Sequence, residues 1–327
     1  MAEERKGRRP TRIILVRHGE SEGNVDSNTY CRVADSKIRL TEAGITQSKK
    51  CGDEIRALIE KDSSGRANPD WRVYFYVSPY QRTLGTLKGI GRAFAKQHIL
   101  GVREEPRIRE QDFGNFQQRE RMKVVKDIRS RFGRFFYRFP EGESAADVFD
   151  RVTSFLESLW RDIDMNRLNR DIGYKSADLN LVIVSHGVTM RVFLMRWFKW
   201  TTEQFELLNN PQNCEVRVMQ LGQGGEYSLL VHHTREELVQ WGLSPEMIAD
   251  QEWRKTAIKG QWYDPWPWAA TSFFDHFEEE KDDDKCSKNS KSITHALVNG
   301  NNGACHDSST TCENMQTPFD LIDADTH

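Results

Sequence analysis

Two apolar runs in this 327-residue chain end the same way. Residues 11–16 read TRIILV and stop at Arg17-His18-Gly19; residues 181–184 read LVIV and stop at Ser185-His186-Gly187. A third run, residues 73–77 (VYFYV), leads through Ser78-Pro79 to Arg82, and the loop IREQDFG adds Glu110. These side chains suit one chemistry. A phosphate monoester is a dianion near neutral pH, and Arg17 and Arg82 can each offer it a forked donor pair. A neutral imidazole, His18, can attack phosphorus and carry the phosphoryl group. A second imidazole, His186, would be cationic beside the phosphate and stabilise charge on its oxygens. Glu110 can protonate the leaving oxygen and then deprotonate the attacking water. The scheme requires neither a metal nor a cofactor.

The elements that must position these residues follow from periodicity and punctuation. Ligands in open α/β sheets bind beyond the carboxyl ends of the strands, where both histidines fall. The glycine after each histidine lets the backbone turn sharply. Leu40-Thr41 opens a helix to about residue 60 with Thr41 as N-cap. A second helix follows Ser78-Pro79 through residue 96. Residues 107–116 read as loop and 117–138 as a highly charged helix. Ser144 caps a helix to about residue 166, whose Val148, Val152, Phe155, Leu159 and Ile163 recur at helical spacing. Residues 191–199 are helical. Residues 216–221 and 227–231 form a hairpin around Gly222, Gly224 and Gly225. Strands alternating with helices predict an α/β fold: a three-layer α/β/α sandwich, its central sheet mostly parallel with an antiparallel edge.

Gly89 and Gly91 lack a preceding strand and a third glycine, so they read as helix-packing glycines instead of a dinucleotide loop. His232 and His233, adjacent on the expected last strand, would face opposite sides and share no metal. The chain divides into a basic, flexible N-terminus (1–10), one domain (11–277) with a helical insertion at about 117–170, and a disordered tail (278–327) that is acidic and then rich in Ser and Asn. Residues 275–327 hold 12 Asp/Glu against 4 Lys; with a net charge of −2 overall, the body is left at +6. That balance favours small anionic ligands. No stretch joins dense Lys/Arg to stacking aromatics, so no nucleic-acid partner is expected. No apolar run is long enough to span a membrane and no secretory signal is visible. The six cysteines form no CxxC pair, so reduced thiols and a cytoplasmic or nuclear location are expected. Oligomeric state is not legible.

Longer motifs carry a resemblance. RHGESEGN at residues 17–24, Asp35 followed by LTEAG and Gln47, SPYQRTLGT, REQDFGNFQ and VSHG occur in this order. Together they resemble the histidine phosphatase superfamily, with its phosphoglycerate mutase-like fold, across roughly residues 12–191. By position the resemblance implies His18 as nucleophile, Glu110 as proton donor, and Arg17, Arg82 and His186 as phosphate-binding residues, with Asn24 in the pocket. FPEGESAADVFDRV, VTMRVFLMRWFKW and NPQNCEV are similar to a plant and fungal subgroup of phosphoglycerate mutase-like proteins or broad-range acid phosphatases. The span 89–103 lacks the Arg-rich segment of true mutases, and no GxxxxGK[ST] kinase loop occurs. Hydrolysis of small phosphorylated metabolites, such as those of carbohydrate metabolism, is therefore expected. The alternatives are a phosphoglycerate mutase-type isomerase and an inactive domain that binds phosphorylated ligands.

Overall fold

The structure, a computed structural model, describes residues 9–62, 65–114, 119–168 and 178–258. Most of the N-terminus, the whole acidic tail, residues 115–118 of the charged insertion and the aromatic residues after 258 lie outside it. The strands are β1 (Arg12–Arg17), β2 (Trp71–Val77), β3 (Ile99–Glu104), β4 (Asp178–Ser185), β5 (Val216–Leu221) and β6 (Tyr227–Ser228). The helices are α1 (Glu22–Val25), α2 (Thr29–Arg32), α3 (Glu42–Ile59), α4 (Gln81–Gly91), α5 (Arg119–Phe132), α6 (Ala145–Asp164), α7 (Gly187–Phe198), α8 (Thr202–Leu207), α9 (Arg235–Gln240) and α10 (Pro245–Thr256).

The strands form one sheet in the order β3-β2-β4-β1-β5-β6. The first four run parallel; β5 and β6 are antiparallel. Alternation along β1 explains the layers. Ile13 and Leu15 point into one core with Val148, Val152 and Phe155 of α6 and with Val192 and Phe193 of α7. Ile14 and Val16 point into another with Cys51, Ile55 and Ile59 of α3 and Ile90 of α4. Both faces are covered, so the central strands read as continuous apolar runs. The expected three-layer sandwich with an antiparallel edge is what the chain forms.

Local signals set the helix starts. Thr41 Oγ1 accepts from the Gly44 N–H at 3.0 Å, and Ser144 and Asp147 make a reciprocal capping box. The glycines of α3 and α4 let the two helices touch. A Cβ on Gly89 would lie 1.9 Å from Ser48 Oγ, and one on Gly52 would lie 2.7 Å from Ile90 O.

Three expectations need correction. Helix α4 stops at Gly91 instead of continuing to residue 96, because two glycines in its last turn weaken it. The span after it holds β3, to which the sequence reading assigns no element. β3 is a sheet edge with no apolar alternation: its second half, Val102, Arg103 and Glu104, is exposed. Finally, β6 is two residues long, and the chain then enters a 3-10 turn at Leu229–Val231. His232 and His233 are therefore not on opposite faces of a strand. Their rings meet edge to face at 4.7 Å, and His233 Nε2 accepts from the Val218 N–H at 2.8 Å.

Candidate active site

Parallel pairing brings the two histidines together. Arg17 of β1 sits opposite Ser185 of β4, so both strands end at one level. The His18 N–H extends the ladder by donating to Ser185 O at 3.0 Å. The two imidazole rings lie 5.3 Å apart, edge to face. Arg82 enters from α4, directly after β2.

Turns and clamps fix the His18 loop. The Gly19 N–H donates to Thr86 Oγ1 at 3.0 Å and the Glu20 N–H to Gln47 Oε1 at 2.9 Å. The Thr41 N–H donates to Glu20 O at 3.0 Å. Gly44 packs against that same carbonyl, which a Cβ there would meet at 2.0 Å. The residues of LTEAG and Gln47 thus form a clamp, built by α3, that holds the nucleophile loop.

The His18 hydrogen bond assigns its tautomer. His18 Nδ1 lies 2.7 Å from Gly19 O. A carbonyl can only accept, so Nδ1 carries the proton and Nε2 keeps the lone pair. His186 Nε2 lies 2.8 Å from Ser78 Oγ, and its buried Nδ1 has no hydrogen-bond partner. Burial, and then the charges of Arg82 and Arg17, hold His18 well below 6.5. Burial, Arg82 and His18 do the same to His186. His186 is thus held low, and the cationic state expected beside a phosphate depends on that anion, whose charge would raise it again.

Arg82 Nη1 donates to both the backbone oxygen and Oδ1 of Asp35, each at 2.7 Å, and its guanidinium lies 4.9 Å from the Tyr80 ring centre. Arg17 Nη1 donates to Pro211 O at 2.6 Å. The Nε atoms of both arginines are buried without partners. The Asn24 side-chain oxygen is filled by Ser21 and Asn213, which leaves its NH2 group uncommitted among the described residues.

Glu110 is placed by its backbone. Arg151 of α6 donates to the carbonyls of Arg107, Arg109 and Glu110, and Glu143 holds Arg151 from the other side. Glu110 Oε1 accepts from the Gln111 N–H at 3.1 Å. Burial raises the carboxyl above its ordinary value despite the opposing pull of Arg82.

Arg17, His18, Asn24, Arg82 and Glu110 line one cleft of about 630 Å³. His186 is fully buried beside His18. The sequence argument missed Ser78, Arg151, Tyr30 and Arg191. Tyr30 and Arg191 line the cleft, and burial pushes Arg191 down to about 9. Arg151 has no sequence signature, because its role depends on α6 lying across the loop 107–110. Ser78, in the SPYQRT motif, could have been found by its place at the strand end. Among the described residues no helix is long and apolar enough to cross a membrane.

The chain is similar to several known proteins. Residues 13–234 match the model of the histidine phosphatase superfamily, branch 1. The phosphoglycerate mutase-like protein AT74 of Arabidopsis thaliana is 64% identical over 270 residues, 83% of this chain and 84% of that protein. The broad-range acid phosphatase DET1 of Saccharomyces cerevisiae is 35% identical over 295 residues, 65% of this chain and 86% of that protein. The solved structure of Bacillus stearothermophilus YhfR, 19% identical, aligns with a TM-score of 0.48 over 68% of this chain and 96% of that one. The chain is an enzyme of the phosphatase type and belongs to the histidine phosphatase superfamily, branch 1.

Proposed function

We propose that this cleft hydrolyses phosphate monoesters of small metabolites, carbohydrate phosphates among them, through a phosphohistidine at His18. One observation carries the reading. His18 presents an unprotonated Nε2, because Nδ1 is committed to Gly19 O, in a cleft that also holds Arg17, Arg82 and Glu110. Nε2 attacks phosphorus, and the P–O bond to the ester oxygen breaks. That oxygen leaves with the proton of Glu110, whose raised pKa keeps it supplied at acidic pH. Water then attacks the phosphohistidine and gives its proton to Glu110, releasing inorganic phosphate and free His18. Arg17, Arg82 and the buried Nδ1 of His186 hold the phosphoryl oxygens, and the Asn24 amide adds a donor. The three unpartnered nitrogens are then satisfied by one tetrahedral anion. Similarity to a broad-range acid phosphatase supports hydrolysis over isomerisation.

The test compares the purified protein with His18→Ala on p-nitrophenyl phosphate and on phosphoglycerates. Phosphate release should fall by roughly 10⁴-fold or more in the variant, as when other covalent catalysts lose their nucleophile. Isomer formation without phosphate release, or equally negligible turnover by both proteins, would reject the reading.

A further inference from the structure

Two thiols beside the nucleophile loop have no part in the chemistry above. Cys51 is a buried residue of α3, only 2% exposed. Cys214 stands just before β5, half-buried, and packs on the same apolar core. Both are free thiols, and although they are far apart in sequence, the Cys51 thiol is hydrogen-bonded with that of Cys214. Cys214 holds its place at a cost. Its backbone is left-handed, with φ 56°, a conformation that strains a residue bearing a Cβ. Its N–H donates to His18 O at 3.3 Å, and a Cβ on Gly19 would meet its Sγ at 3.3 Å. The loop around it also holds the site. Pro211 O accepts from Arg17 Nη1 at 2.6 Å, and Asn213 Nδ2 donates to His18 O and to Asn24 Oδ1, each at 3.1 Å.

The two thiols differ in access. Cys214 lines a cavity of about 390 Å³ apart from the catalytic cleft, where a small oxidant can reach it. Cys51 is shut off from solvent, and its bond with Cys214, together with burial, holds its thiol above the ordinary value, so it is the second to react. We propose that Cys214 and Cys51 form a reversible disulfide when the protein meets hydrogen peroxide, and that the bond switches the active site off. The Cys214 thiolate attacks one peroxide oxygen and the O–O bond breaks. The leaving hydroxide takes up the proton that the thiol released, giving water and a sulfenic acid. The Cys51 sulfur then attacks the Cys214 sulfur, the S–O bond breaks, and the hydroxide leaves with the Cys51 proton as a second water. Two thiols lose two electrons and one peroxide gains them. A dithiol reductant reverses the bond by exchange.

The consequence for the site follows from what is anchored. Bonded sulfurs sit much closer than hydrogen-bonded ones. α3 is the fixed side, because Gly52, next to Cys51, packs so tightly on α4 that a Cβ there would lie 2.7 Å from Ile90 O. The 211–214 loop therefore moves, and it shifts the partners of Arg17, His18 and Asn24.

The test treats the full chain with hydrogen peroxide and afterwards with dithiothreitol. Non-reducing peptide mapping by mass spectrometry should find Cys51 joined to Cys214. Turnover of p-nitrophenyl phosphate should fall by about ten- to a hundred-fold, the effect of a small misplacement of reacting groups, and dithiothreitol should restore it. Cys214→Ser should lose the peroxide sensitivity relative to its own untreated activity. In Cys51→Ala a dimedone probe should trap the Cys214 sulfenic acid. The mapping uses the native chain, so it decides even where a substitution unfolds the protein. Failure of the Cys51–Cys214 bond to form, a bond that leaves turnover unchanged, or a reversible loss that persists in Cys214→Ser (Cys31, which lines the catalytic cleft, would then be responsible) overturns the proposal. If the untreated protein turns over no ester, the phosphatase reading falls by itself. The reduced and oxidised forms are then titrated with inorganic phosphate by calorimetry: weaker binding by the oxidised form supports the switch, and equal binding overturns it.

Discussion

The floor and the roof of the cleft are built on opposite principles. The floor is the strand ends: His18, Arg82 and His186 are only 4%, 2% and 0% exposed, each held by a named hydrogen bond. The roof is α5, which buries none of its described side chains and exposes Val124 and Phe132. Burying imidazoles and guanidinium groups costs stability, and the sheet and the α3 clamp repay it with fixed geometry. The roof carries less of that cost, because none of its described side chains is fully buried. On the proposed reading, the difference teaches that a fixed floor sets the reaction type and a more exposed roof is left to meet the rest of the substrate.

The largest effect that could break this division comes from Glu110, whose proposed acid role matters only for esters with a basic leaving oxygen. Glu110→Gln should slow alkyl phosphates by about 10²–10⁴-fold while p-nitrophenyl phosphate loses far less, because only a basic leaving oxygen needs its proton. The sign of the pH dependence follows. His18 is neutral down to well below 6.5, so the acidic limb of kcat/KM lies below that value. Glu110 must be protonated, so activity on alkyl esters falls as pH rises through its raised pKa. The variant should lose that alkaline limb. Equal losses on both ester classes, or an alkaline limb that persists in the variant, would remove Glu110 from the acid role.

A smaller effect probes how far the floor extends. Gly44 is distant in sequence from either histidine, yet a Cβ there would strike Glu20 O at 2.0 Å. Gly44→Ala should lower stability by ~1–3 kcal/mol, the usual cost of overpacking. It should also lower kcat by about ten-fold, since displacing the nucleophile loop misaligns attack. Urea melts and turnover on p-nitrophenyl phosphate check both. An unchanged melt with unchanged turnover would mean that α3 does not clamp the loop.

Legibility in the sequence divided along the same line. The floor was readable because its parts have local causes: an apolar run covered on both faces, a histidine at its end, a glycine to turn. His18, His186, Arg17, Arg82, Asn24 and Glu110 were all named from such signals or from the motifs around them, and the structure brings them to one place. The lowering of His186 below its ordinary value was not readable, because it comes from burial and from the Arg82 and His18 charges that the fold sets beside it. Arg151 escaped for a related reason: its three carbonyl acceptors come from a loop more than forty residues away. At the sheet edge the cause is solvent. β3 pairs on one side alone, with an irregularity opposite Val73 and Tyr74, so its exposed residues carry no period-two pattern. The charged stretch read as a helix to residue 138, but α5 ends at Phe132, and which of its faces meets the cleft is decided by how Arg134 and Phe135 are anchored.

The smallest effect is the sharpest test of the roof. Val124 is 53% exposed and lies two residues, about 200° of helix, from Met122, which lines the cleft, so it faces away from the cleft. If α5 acts only through the side chains it aims inward, Val124→Ala should change stability by less than about 0.5 kcal/mol, as surface substitutions do. Turnover of simple phosphate esters and of phosphate esters with a second anionic group should stay at the wild-type level. A selective loss on esters with a second anionic group would show that the helix responds as a body, its outer face coupled to its inner one. The roof would then be a moving part, and specificity would reside in how α5 docks instead of in which side chains it carries.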